Sequence, residues 1–124
     1  MGIDYNELTK QVLDISTQVR FAGVVNSKGE LVASEKKQDV EPLLDNDQVK
    51  MSIHYALQKR DLYTNLAYKI GNETAAITEY EKVTMISIPI NSNELFLVST
   101  EPRADYLAII DYVRSELNSQ KESD

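Results

Sequence analysis

The sequence predicts an α+β domain: a five-stranded antiparallel sheet with helices on both faces, in the order α-β-β-α-β-β-β-α. Three observations predict it. Three stretches repeat apolar residues at helical spacing, and five short stretches rich in Val, Ile, Leu and Phe are set off by Gly, Asn and Pro. The strand-like stretches also break strict alternation at Val24-Val25, Leu31-Val32 and Leu95-Phe96-Leu97-Val98, so residues on both sheet faces need cover. With 124 residues there is room for one core. Residues 1–117 are read as a single domain and 118–124, which hold no apolar side chain, as a disordered tail.

Composition removes several function classes. A hydrophobic fraction of 42% with 27% charged residues is that of a folded globular chain rather than a disordered one. There is no apolar run long enough to span a bilayer, and the chain opens Met1-Gly2-Ile3-Asp4 without a basic, then apolar, signal; no membrane insertion and a cytoplasmic location are expected. The absence of cysteine excludes disulfides, thiolate nucleophiles and zinc–thiolate sites. Thirteen basic against 20 acidic residues give a net charge of −7, whose field opposes binding to a nucleic-acid backbone.

The first helix is expected from Asp4 to Val19, with Asp4 as N-cap, Glu7 in the capping-box position, and Leu8, Val12, Ile15 and Val19 on one face. A hairpin follows. Its strands are Arg20–Val25 and Glu30–Ser34, and its turn is Asn26-Ser27-Lys28-Gly29 with Gly29 at positive φ. Glu35 to Pro42 is polar and reads as an exposed loop.

The stretch from Asn46 to Gly71 reads as a long helix, with Asp45, Asn46 and Asp47 as candidate N-caps and Gly71 just past its end. It contains no Pro or internal Gly, and a bend near Asp61 is compatible with its sequence. At 100° per residue it carries two apolar stripes. Val49, Ile53, Ala56, Leu57, Tyr63 and Ala67 form one; Met51, Tyr55, Leu62 and Leu66 form the other. One stripe covers a sheet, and the second needs a copy, a partner, or the loop before it.

Three strands close the sheet. Glu73–Tyr80 is only moderately apolar, as an edge strand would be. Val83–Ile90 alternates Ile86, Ile88 and Ile90 on one face, and Pro89 withholds a ladder donor near its end. Glu94–Ser99, apolar at four successive positions, is the expected centre of the sheet. The last helix starts after Pro102 and runs to Leu117, with Tyr106, Ile110, Val113 and Leu117 on one face.

This element order resembles the roadblock, or dynein light-chain, superfamily, a relative of profilin and longin-type sandwiches. The resemblance is carried by the hairpin Phe21-Ala22-Gly23-Val24-Val25-Asn26-Ser27-Lys28-Gly29-Glu30-Leu31-Val32-Ala33-Ser34, and by the Glu94–Glu101 strand leading into Arg103-Ala104-Asp105. It spans Leu8 to Leu117, with an archaeal branch as the expected placement. It implies a homodimer in which the long helix and the following edge strand meet their copies. On this sequence that puts Met51, Tyr55, Leu62, Leu66, Ala75 and Ile77 at the interface. It also implies a partner, a small Ras-like GTPase that the paired helices scaffold or regulate.

No residue set calls for catalysis or a cofactor. His54, the only histidine, lies mid-helix without a G-x-S-x-G elbow; it reads as structural or solvated, or else as a pH-sensitive contact at the dimer face. Asp45 and Asp47 lack EF-hand spacing and read as helix caps, and the four glycines show no phosphate-loop spacing. Glu79, Glu81 and Lys82 read as a solvated turn that discourages edge pairing. Asn72-Glu73-Thr74 matches a glycosylation sequon by chance. The expectation is therefore a non-enzymatic homodimeric interaction module. The alternative is a small-ligand sensor whose pocket, between sheet and long helix, is lined by Phe21, Tyr55, Tyr63 and Phe96.

Overall fold

The computed structural model describes residues 3–38 and 41–122. Within them the elements are α1 (Tyr5–Asp14), β1 (Val19–Asn26), β2 (Leu31–Lys36), α2 (Asn46–Thr64), α3 (Ala67–Ile70), β3 (Ala76–Glu79), β4 (Thr84–Pro89), β5 (Glu94–Thr100) and α4 (Tyr106–Glu122). The strands form one sheet, ordered β2-β1-β5-β4-β3, with every neighbouring pair antiparallel. Helices lie on both faces, as the broken alternation predicts. The expected centre, β5, is the middle strand, and β3 is an edge.

One face carries the main core. Leu8, Val12 and Leu13 of α1 and Ile109, Ile110, Val113 and Leu117 of α4 close over Ala22, Val24, Ile86, Ile88, Phe96 and Val98 of the sheet. The three buried threonines have partners: Thr9 donates to the Asn6 carbonyl, Thr84 bonds the Tyr106 hydroxyl, and Thr100 donates to the Glu101 carbonyl. Tyr5 ties the start of α1 to β5 by donating its hydroxyl to Glu94 Oε1 at 2.7 Å. Burial first, and then the Glu94 carboxylate, raise its pKa far above the usual tyrosine value.

Boundaries differ from the expected ones for local reasons. The first helix stops at Asp14, not Val19, because Ser16 turns the chain: its hydroxyl accepts from the Gln18 N–H and its carbonyl from the Val19 N–H. Val19 is buried after all, but as the first residue of β1. The long helix breaks as well. After Thr64 the bonds tighten to the three-residue pattern, from Asn65 N–H to the Leu62 carbonyl and Leu66 N–H to the Tyr63 carbonyl, and a separate turn, α3, ends at Gly71 with φ of 90°. The break falls at Asn65–Leu66, four residues past Asp61.

The expected caps are present: Asp4 accepts from Glu7 N–H, and Asp45 with Gln48 makes a full capping box. Gly29 has positive φ in the hairpin turn. β3 is shorter than the predicted Glu73–Tyr80, and its pairing with β4 begins at Ser87, short of Pro89. The last helix continues to Glu122, so 118–122, expected to be disordered, are helical; residues 123 and 124 of that predicted tail, and residues 39 and 40 of the predicted loop, lie outside the described residues.

Candidate functional site

Over the second sheet face lie α2 and, among the described residues, the loop that leads into it. At its start the capping box fixes the helix, and in its middle Ile53, with Val49 and Leu57 beside it, packs on Val25, Leu95 and Leu97. Further along, Arg60 donates through Nη1 to the Glu94 carbonyl at 3.3 Å and through Nη2 to the Asn91 carbonyl. Of its 19 residues only Ile53 is buried. The inner stripe thus holds as far as Leu57. Tyr63, placed on that stripe by spacing, is exposed because the helix has passed the edge of its contact with the sheet.

The outer stripe is uncovered. Met51 is 53% exposed, Tyr55 59%, Leu62 69% and Leu66 48%. From Asp61 to Asn72 only Ala67 is even half-buried, so Leu62, Tyr63, Leu66, Tyr68 and Ile70 stand together on the end of α2 and on α3 with no cover from the described residues. The last two were not singled out by the helical wheel; their signal was the density of apolar residues ahead of Gly71.

Ala75 and Ile77 sit apart from that stripe. Ile77 pairs across strands with Ile86, a residue of the α1/α4 core, and Ala75 packs against the same core, so both side chains belong to the sheet face opposite α2. Ile77 is 40% exposed, and β3 has β4 on one side and no strand on the other among the described residues. What β3 shares with α2 is its free backbone edge, together with Ala76 and Thr78, which point the other way and line a cavity under the helix.

That cavity, about 450 Å³, lies between α2, the loop before it and the sheet. Phe21 and Tyr55 line it, as expected of a sensor pocket. Tyr63 does not, and Phe96 is fully buried in the opposite core, because the four-residue apolar run of β5 sends alternate side chains to opposite faces.

His54 is exposed on α2, its ring 6.5 Å from that of Tyr55. No cluster of three His, Asp or Glu residues able to hold a metal ion occurs among the described residues, and none of their helices is long and apolar enough to cross a membrane.

No protein-family model and no curated protein matches the chain. Solved structures do. The Roadblock/LC7 domain from Streptomyces avermitilis is similar with a TM-score of 0.75 at 13% identity, over 98% of each chain. Myxococcus xanthus MglB is similar with a TM-score of 0.72 at 15% identity, over 97% of this chain and 96% of that one. An MglB in a tetrameric arrangement is similar with a TM-score of 0.71 at 13% identity, over 90% and 79%. The architecture is thus an α+β sandwich with two helices on one sheet face and a single long helix on the other. Within that class its fold is the Roadblock/LC7 fold, as the opening hairpin implied.

Proposed function

We propose that this chain is a non-enzymatic interaction module of the cytoplasm, which homodimerises through the outer stripe of α2 and the β3 edge. The paired surface then scaffolds or regulates a small Ras-like GTPase. The observation that carries the reading is the uncovered run of Met51, Tyr55, Leu62 and Leu66, continued by Tyr68 and Ile70. Burying a leucine from such a position contributes about 1.5–3 kcal/mol, and a two-fold interface counts each twice, to be set against an association cost of about 4–15 kcal/mol. A second β3 laid against the first extends the sheet through backbone hydrogen bonds, leaving Ala75 and Ile77 at the seam. The tetrameric arrangement of MglB, a protein of the same fold, supports assembly as a use of this architecture. The GTPase role rests on the family resemblance of the hairpin.

Light scattering over a concentration series tests the dimer. The wild-type mass is expected at twice that of one chain, and Leu66→Glu at one chain with an unchanged far-UV spectrum. A wild-type monomer at every concentration would overturn the reading. The GTPase step is read by pull-down of small GTPases loaded with GDP or a non-hydrolysable GTP analogue, where Leu66→Glu should lose what the wild type retains.

A further inference from the structure

We infer that the cavity beneath α2 takes a small anionic amphiphile: a free fatty-acid-like molecule with an apolar chain and one carboxylate head. This goes beyond the dimer reading, because it uses the space between helix and sheet, whose lining shares Tyr55 alone with the four-residue outer stripe of α2. The volume, about 450 Å³, falls within the range of small-ligand sites. Its walls are apolar, with Phe21, Leu31, Met85 and Leu97 from the sheet and Val49 and Ala56 from α2. Gly23 shapes the floor: a Cβ there would stand 2.8 Å from the Phe21 ring, so glycine lets that ring lie across β1.

The head group is assigned by charge. In a chain of net charge −7, four basic residues line this cavity and, among the described residues, no acid does. Arg20 is offset by Glu101 at 2.8 Å, and the Lys37 ammonium is held by the Leu13 carbonyl on the far side of the sheet. The side chains of Lys36, opposite Phe21 in the β1–β2 register, and of Lys59 in α2 have no hydrogen-bond or ion-pair partner among the described residues. Both are exposed, and they bring unpaired positive charge to the lining of a mostly apolar space on an acidic protein. A neutral apolar ligand would have no use for them, and a cationic one would be repelled.

Displacement of the fluorescent fatty acid cis-parinarate from the purified 124-residue chain tests this, with laurate, 1-dodecanol and dodecylammonium as competitors below their micelle concentrations. Laurate is expected to displace the probe about tenfold more effectively than dodecanol, and dodecylammonium least, the step expected for a hydrogen-bonded charged head. Changing both exposed lysines, Lys36→Ala with Lys59→Ala, should bring laurate down to the level of dodecanol while leaving dodecanol unchanged. Ala56→Phe should fill the cavity and abolish probe binding; Gly23→Ala, which drives the Phe21 ring upward, should weaken it should the larger substitution fail to fold. No saturable probe binding by the wild type, equal displacement by all three head groups, or probe binding unchanged in a folded cavity variant would each overturn the inference. Light scattering of the same samples keeps this outcome separate from that of the dimer.

Discussion

Among the described residues, sixteen buried ones from five elements and their connecting segments make up the α1/α4 face, whereas on the α2 face Val25, Ile53 and Leu95 alone are buried together, with a cavity beside them. Both faces belong to the same strands, and β5 sends Phe96 and Val98 to one while Leu95 and Leu97 go to the other. The same hydrophobic strand therefore serves two ends. Its first face supplies the stability of the fold, and its second holds a helix in place by a few contacts at the middle and at Arg60, leaving the rest of that helix for something else.

The sharpest way to break this comparison is to remove one large side chain from each face. Phe96→Ala should cost about 3–5 kcal/mol in chemical denaturation, the range for a fully buried aromatic. Ile53→Ala, the corresponding lesion on the other face, should cost about 2 kcal/mol, because the sparsely packed helix can settle into the space. Equal losses would mean that α2 is as firmly built into the core as α1 and α4. A smaller effect comes from pH. The Tyr5 hydroxyl, buried and bonded to Glu94, keeps its proton in the folded chain to higher pH than in the unfolded one, where tyrosine ionises near pH ~10. The folded state then binds more protons than the unfolded state above that pH, so stability is full below it and is lost as pH rises past it. Tyr5→Phe should flatten that part of the stability profile; a slope unchanged in the variant would put its source elsewhere.

Much of the fold was legible because local signals agreed with the tertiary arrangement. The Asp4 and Asp45 caps, Gly29 in its turn and the run at Leu95–Val98 are each a residue type whose chemistry allows few alternatives. Helix ends were less legible. Val19 fits the apolar period of the first helix as well as it fits the first position of a strand, and the Ser16 turn that decides between them is a single side-chain hydrogen bond. Thr64 and Asn65 likewise carry no Pro or Gly to announce the break in the long helix. Of the proposed interface, the exposure of Met51, Tyr55, Leu62 and Leu66 followed from the second stripe. The side of the sheet on which Ala75 and Ile77 lie did not, because it depends on register with β4. The Phe21 ring lying across Gly23 is a contact within β1 whose meaning depends on what covers that face, and the lysines of the cavity lining come from β2 and α2, which no local pattern joins.

The central claim, that one face is complete and the other is finished by a second copy, is tested most directly by amide hydrogen exchange measured residue by residue at several protein concentrations. Amides of α1, α4 and β5 should exchange at the same slow rate throughout. Those of β3 and of residues 61–70 should be fast in dilute solution and slow as concentration rises. Exchange in β3 and 61–70 that stays fast, or stays slow, regardless of concentration would contradict it.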